Sequence, residues 1–552
     1  MTTPRARTGG HRAWITRAAL FALLTLLGGC AALRPSAPRM PSWAITDAEQ
    51  TTLGRVFTAQ AAQATTQTAT QTAQQPGLSG FQVVASGQTA FMARAALAQA
   101  AERTLDLQYY SVGDDLTTDL LLLHIVDAAE RGVRVRILLD DIYAPTRLFA
   151  GRAMAAHPGI EVRLFNPFYF GGTLSLARLA EFIFDGARLN RRMHNKLWVT
   201  DNAAAIVGSR NLGDDYFDAN ESNNFSDVDL LAVGPIVADL SRAFDAYWNS
   251  AAAIPLAAVI DVPDTTNNTN DADAATASAA VRLALRARVA ACQDAQPCRW
   301  LSEGGLLAAL RSGSVALSWA SAQFIVDLPG QDKPHLVTGI EHGSIDDHPG
   351  GDRTQSELLI TSPYFVPSED GLRHLGEMHE RGVRVAVLTN SLASTDSPAA
   401  HAGYARHRAA LLRAGVALYE TRPQPGSPHD RSHRWGHVSP ASLHAKVIVR
   451  DRVRAIVGSL NQDPRSRLHN TEAWLVIDSA EIAADLAALF EEGSDPQHAF
   501  AVKLSAGVGS DALEWKTEEQ GLPVRYDSEP MTELWHRLWR GVLGLLIPEH
   551  LL

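Results

Sequence analysis

Apolar and polar residues along this chain fall into blocks, and the blocks recur. From Leu105 to Tyr110 the pattern predicts a strand and from Leu116 to Glu130 a helix; Arg131-Gly132-Val133-Arg134-Val135 then predicts a turn and a strand running to Asp140. The string Arg-Gly-Val-Arg-Val returns at 381, again after an apolar strand (Leu358 to Tyr364) and a helical stretch (Gly371 to Glu380). The runs at 161–165 and 416–420 correspond in the same way, and 90–103 reads as an Ala-rich helix. Short apolar runs at 197–199 and 203–207, matched by 447–449 and 454–457, suit strands buried on both faces. Strands alternating with helices predict an α/β fold. The repeat predicts two similar domains, each a mixed β-sheet flanked by helices, related by a pseudo-twofold axis with the functional site at their seam.

Composition sets the boundaries. Residues 1–29 carry four arginines and no acid, then a short apolar run from Ala18 to Leu27, the pattern of a secretory signal. Residues 30–79 read as a tether, because 59–75 is built almost wholly from Ala, Gln and Thr. The first domain is expected at 80–262, a polar linker at 263–300, the second domain at 301–500 and a C-terminal extension at 501–552. In that extension Trp535, Leu538, Trp539, Val542, Leu545 and Leu546 fall at helical spacing, which suits a membrane interface or docking onto the body. Cys292 and Cys298, six apart, are able to pair outside the cytoplasm, or to remain thiols. The loop 424–438 is expected at the surface, with a lid as the alternative. The aromatic stretch 165–184 is expected to pack as core, with acyl-chain contact as the alternative.

The chemistry lies in one motif written twice. His194-x-Lys196-x4-Asp201 is followed by Gly208-Ser209-x-Asn211, and His444-x-Lys446-x4-Asp451 by Gly458-Ser459-x-Asn461. Only five lysines stand among 49 basic residues, so a Lys at the same place in both copies is not compositional noise. Alternation along a strand puts each His and Lys on one face. Imidazole, ammonium, hydroxyl and amide together suit a phosphate group, and histidine is able to attack phosphorus or to protonate a leaving oxygen. Two half-sites facing each other would supply in-line displacement without a metal or other cofactor.

These paired motifs resemble the phospholipase D superfamily, and most closely bacterial cardiolipin synthases of the C type. Supporting stretches are 188–196, 389–393, 401–406, 463–466 and 470–472. The resemblance implies a phosphatidyltransferase that forms cardiolipin from phosphatidylglycerol and a second phospholipid. His194 would form a phosphohistidine, and His444 would act as acid and then base. Lys196, Lys446, Ser209, Asn211, Ser459 and Asn461 would hold the phosphoryl oxygens. It also implies an acidic residue behind each histidine: Glu472 in the second half, and Asp227, preferred over Asp229, in the first. Asp201 and Asp451 are expected to be structural. Leu27-Gly28-Gly29-Cys30 resembles a lipoprotein signal, with Cys30 lipidated and the body in the cell envelope facing the periplasm or exterior; an uncleaved signal anchor is the alternative. Phosphatidylethanolamine as donor and an accessory protein partner are further implications of the C type.

Charge narrows the substrate. The chain carries −11, and loss of residues 1–29 takes it to −15. An acidic body argues against general nucleic-acid binding. Arg188, Arg191 and Arg192, beside the first motif, are candidates for an anionic headgroup, or plain surface charge. A hydrolytic phospholipase D, a nuclease and an inactive lipid-binding protein are the alternative readings.

Overall fold

The structure, a computed structural model, describes residues 39–68, 77–142, 154, 157–168, 176–259, 271–291, 294–330, 354–423, 441–505 and 512–546. Residues 1–29, Cys30, Cys292 and the loop 424–438 lie outside these. Among the described residues no helix is long and apolar enough to cross a membrane.

The first lobe contains β1 (Ser79–Val84), β2 (Thr104–Tyr109), β3 (Arg134–Asp140), β4 (Ile160–Phe165), β5 (Leu197–Thr200), β6 (Ala204–Gly208), β7 (Asn224–Ser226), β8 (Asp229–Val233) and β9 (Ala253–Pro255). The second contains β10 (Ser318–Val326), β11 (Glu357–Thr361), β12 (Arg384–Asn390), β13 (Ala417–Thr421), β14 (Ala441–Leu443), β15 (Val447–Arg450), β16 (Arg454–Gly458), β17 (Ala473–Asp478), β18 (Ala499–Leu504), β19 (Leu513–Glu519) and β20 (Leu522–Tyr526). In the first lobe the strands run β9-β4-β3-β2-β5-β6-β8-β1. In the second they run β10-β17-β16-β15-β11-β12-β13-β18-β19-β20. The two orders mirror each other outward from an antiparallel β1–β10 pair, which joins both halves into one 18-stranded sheet.

Elementary chemistry explains the repeated strings. In Arg-Gly-Val-Arg-Val the glycine ends a helix: Gly132 and Gly382 sit at φ 94° and 88°, in the left-handed region that glycine enters without strain. The amides of Val133 and Val383 return to the carbonyls of Ala128 and Met378, closing each helix before the next strand. The motif aspartates turn the hairpins that follow β5 and β15. Asp201 and Asp451 have φ 54° and 51°, tolerated by Asp, and their carboxylates accept backbone amides at the starts of β2 and β11. Gly208 and Gly458 are required by close approach, since a Cβ there would stand 2.6 Å from the Cα of Asp229 or of Trp474.

The core runs through the seam. Phe81, Val199, Leu230 and Phe244 of the first lobe share one apolar cluster with Leu359, Val449, Leu475 and Phe490 of the second. Across the axis, the helix Ile236–Trp248 packs on β10, and the helix Ala480–Gly493 on β1.

Three boundaries differ from expectation. The expected tether is largely integral to the first lobe: in the helix Thr52–Thr68, Leu53 and Phe57 join its core, and Arg136 and Arg163 hold the backbone at Ser42 and Met40. Sparse large side chains suffice to dock an Ala-rich helix. The expected linker includes the helices Asp271–Ala290 and Gln296–Glu303, anchored by buried Leu285 and Trp300. The C-terminal extension begins inside the sheet, with β18, β19 and β20 on its second edge.

Candidate active site

The segment leading into each repeated motif pairs with the other lobe. Parallel pairing of β14 with β7 sets Leu443 opposite Ser226, and the His444 amide donates to the Ser226 carbonyl (2.8 Å). Symmetrically, Met193 bridges Thr471, and the His194 amide donates to the Thr471 carbonyl (2.9 Å). Ser226 and Thr471 immediately precede the two candidate acids. The acids therefore cross the seam: Glu472 Oε2 lies 2.9 Å from His194 Nδ1, and Asp227 Oδ2 lies 2.6 Å from His444 Nδ1. Asp229, the other first-half candidate, pairs with Arg94 instead (2.8 Å).

The tautomers follow from the partners. His194 Nδ1 faces a carboxylate and the Ser459 carbonyl (3.1 Å), both acceptors, so Nδ1 carries the proton. The same holds for His444 against Asp227. Each Nε2 is left as the ring nitrogen available to the cavity. Burial lowers the pKa of both rings, His194 to about 4 against the pull of Glu472. Burial alone would raise the Glu472 carboxyl, but His194, Lys196 and Ser459 outweigh it and hold the group at about 2. Asp227 is likewise held below the usual carboxylate range, burial being outweighed by His444 and Lys446.

Both histidines line one cavity of about 460 Å³. Tyr110 stands edge-on to His194 (4.9 Å between centroids), and Tyr216 edge-on to His444 (5.4 Å). Asn211 and Asn461 face the same space. Lys196 and Lys446 are buried, each donating to the carbonyl of its own histidine. Burial pushes both ammonium groups down, Lys446 to about 8 and Lys196 well below the ordinary range. Glu472 and Asp227 pull both the other way without offsetting it.

Ser209 and Ser459 have a different task from the phosphate contact expected of them. Both are fully buried, and their hydroxyls donate to Asp227 and Glu472 respectively. A hydroxyl suits a carboxylate as well as a phosphate, and here it fixes the acid behind each histidine. Asp201 and Asp451 lie away from the cavity, at the hairpins described above. Of the arginines before the first motif, Arg191 is exposed, as surface charge would be, whereas Arg192 is fully buried against Asp140 (3.4 Å) and Arg188 binds Glu181 (2.8 Å). The cavity's guanidinium is Arg465, which reaches Asn190 of the first lobe (3.1 Å). Sequence reasoning missed Arg465 together with Tyr110, Tyr216, Tyr364, Asp396, Asp463 and Asn470 as lining residues. Of these, Asp463, Arg465 and Asn470 stood in stretches that carried the family resemblance.

A second polar cluster, His401, Glu420 and Glu529, has ligand atoms close enough for a metal ion. The Arg408 guanidinium already fills it, bonding His401 (2.8 Å), Glu420 (2.7 Å) and Glu529 (2.6 Å). It is an ion-pair core under the C-terminal helix, not a metal site.

A family described as cardiolipin synthase, PLD-like domain, matches residues 95–248 and 352–493. Cardiolipin synthase C of Escherichia coli (strain K12) is 38% identical over 87% of this chain and 97% of its own length. Cardiolipin synthase A of Pseudomonas entomophila (strain L48) is 25% identical over 71% of this chain and 64% of its own length. The crystal structure of phosphatidylserine synthase from Haemophilus influenzae Rd KW20 shares the fold, with a TM-score of 0.51 at 15% identity, covering 86% of this chain and 97% of that one. The two halves of the matched domain are the two lobes, and the chain belongs to the cardiolipin synthase family of the phospholipase D superfamily.

Proposed function

We propose that this phosphatidyltransferase of the phospholipase D superfamily makes cardiolipin from phosphatidylglycerol and a second phospholipid through a phosphohistidine. The observation that carries the reading is the pair of buried imidazoles on one cavity, each locked from behind by a carboxylate of the opposite lobe.

The His194 Nε2 lone pair attacks phosphorus while His444, protonated at Nε2, gives its proton to the departing alcohol. The P–O bond breaks as the P–N bond forms. The hydroxyl of a second phosphatidylglycerol then attacks the phosphohistidine, its proton passing to His444. Asn211 and Asn461 on the cavity wall, with Lys196 and Lys446 buried beside the two histidines, would stabilise the phosphoryl oxygens at low dielectric. Glu472 favours the N-phosphorylated ring that His194 becomes, and Asp227 the cationic ring of His444. Incubating the protein with labelled phosphatidylglycerol and resolving products by mass spectrometry tests this. Cardiolipin and free glycerol are expected; phosphatidic acid alone would make the protein a hydrolytic phospholipase D.

The depressed pKa of His194 gives the pH dependence a sign. A group whose folded value falls to about 4 stays neutral as pH drops from 7 to 5, where an ordinary imidazole would lose about 25-fold of its neutral form. Phosphohistidine formation, followed in a single turnover, should therefore hold or rise toward pH 5, because the acid His444, whose pKa burial also lowers, is more fully protonated there. A drop of tenfold or more centred near pH 6.5 would contradict it.

The proposed site of action is a membrane surface in the cell envelope, with Cys30 as the lipid-bearing residue. The C-terminal helix Leu534–Leu546 supports surface contact: it packs on the helix Pro398–Arg413, yet leaves Trp535, Leu538 and Val542 at 66%, 56% and 41% exposure. Leu179, Phe182, Ile183 and Phe184 on the helix Leu176–Leu189 are exposed as well, so this end of the aromatic stretch departs from the core packing expected of it, while Phe165 at its start is buried. Replacing Trp535 and Leu538 by Ser, in a protein also carrying Cys30→Ser, should weaken vesicle cosedimentation by at least about tenfold. Unchanged binding would assign the helix to packing alone.

A further inference from the structure

The two lobes are duplicates, but the walls they give the cavity are not. The first lobe contributes Tyr110, Ser111, Asn211 and Tyr216 beside His194, and no carboxylate. The second contributes Asp396, Asp463, Asn461 and Asn470 beside His444. Asp463 stands where the first copy, 250 residues earlier, has Gly213. A phosphodiester is an anion, and a carboxylate in its pocket repels it. Both acids favour the ammonium form of Lys446, and Asp396 the protonated His444, tasks that still leave carboxylate lone pairs for a bound molecule.

Their hydrogen bonding narrows that molecule's chemistry. Asp396 is exposed at the cavity and accepts from the Tyr364 hydroxyl with one oxygen (2.8 Å). Asp463 is buried and accepts the Ser466 amide (2.7 Å). Asn461 and Asn470 are 6% and 4% exposed, and the side-chain carbonyl oxygen of each has no hydrogen-bond partner among the described residues. A buried acceptor without a donor costs roughly 1–3 kcal/mol, so the arrangement is completed by a molecule that brings donors. Phosphate oxygens bring none. Hydroxyl and ammonium groups do.

We infer that the second lobe's wall is an alcohol subsite, in which Asp396 and Asp463, with Asn461 and Asn470, read the additional hydrogen-bond donors of the headgroup alcohol that leaves or enters through His444. This rests on the transferase reading above. In the second half-reaction the alcohol oxygen bonds to phosphorus, the bond from phosphorus to His194 breaks, and the hydroxyl proton passes to His444 Nε2. The remaining hydroxyls or ammonium of the same alcohol bond the acids. The subsite thus makes a donor-bearing alcohol a better acceptor than a plain one of similar size.

The test is a competition on the full chain in phosphatidylglycerol vesicles, with deuterated glycerol and 1-propanol at equal concentration and both phosphatidyl-alcohol products counted by mass spectrometry. The native protein should favour glycerol. Asp396→Ala should lower the glycerol-to-propanol ratio about tenfold, and Asp396→Asn, which keeps an acceptor oxygen, should restore part of it. Loss of folded protein lowers both products together and leaves the ratio intact, so a purely structural role does not mimic the result. An unchanged ratio in Asp396→Ala and in Asp463→Asn overturns the inference. Ethanolamine as a third acceptor separates the donors: a loss confined to ethanolamine assigns the carboxylates to an ammonium, and a loss confined to glycerol assigns them to hydroxyls. If the native protein forms neither alcohol product, the transferase reading itself falls.

Discussion

Replacing His194 by Ala is expected to abolish phosphatidyl transfer, by at least about 10⁴-fold, and to leave no covalent phosphoryl label on the protein. The imidazole has no substitute at that position. Lys196 beside it donates to the His194 carbonyl, and the cavity hydroxyl that has a carboxylate beside it, Tyr364 on Asp396, belongs to the second lobe and is pushed by burial well above the ordinary phenol range. His444 faces the same cavity but belongs to the other lobe, so attack from there would put the leaving alcohol on the side that then has no acid. Trapping the intermediate from a radiolabelled donor reads the result directly. A full-strength label, or undiminished transfer, in His194→Ala would remove the mechanism.

The second large effect separates the crossed arrangement from an uncrossed one. Glu472→Gln alters the second lobe, yet it should reproduce the loss of His194 in the first. A glutamine amide donates to Nδ1 as readily as it accepts, which favours the tautomer with its proton on Nε2 and no lone pair to attack with. A loss of about 10³- to 10⁴-fold is expected, comparable with the effect of the wrong tautomer in a serine protease triad. Asp227→Asn should act on His444 instead, impairing protonation of the leaving group. Its defect should therefore shrink when the donor carries a nitrophenol leaving group, which departs without a proton, whereas the Glu472→Gln defect should not. If the two variants exchanged these behaviours, the acids would serve their own lobes.

Much of this was readable in the residues, for reasons that differ from place to place. The histidines and lysines stood out because each copy of the motif vouched for the other, and alternation along a strand fixed their shared face. The structural part of Asp201 and Asp451 was likewise legible, since Asp is at home in a left-handed turn. What the chain order could not express was partnership across the seam. Glu472 reaches His194 because Arg192 and Thr471, 279 positions apart, lie side by side with the Thr471 amide on the Arg192 carbonyl (2.7 Å). The serines were misread because a buried hydroxyl answers a carboxylate and a phosphate with the same donor. Residues 52–68 were misread because Ala, Gln and Thr dominate their composition, although Leu53 and Phe57 alone anchor the helix. Asp463 went unremarked as a lining residue because its role shows only by contrast with Gly213, once both positions are known to face the same space.

The unbroken ladder through β1 and β10 constrains how the enzyme turns over. Two lobes sewn along a strand pair, with apolar side chains from both interleaved behind it, cannot swing apart like jaws to admit a lipid. Reactants must thread in and products leave by the mouth of a vessel whose two walls, one imidazole on each, stay fixed to one another.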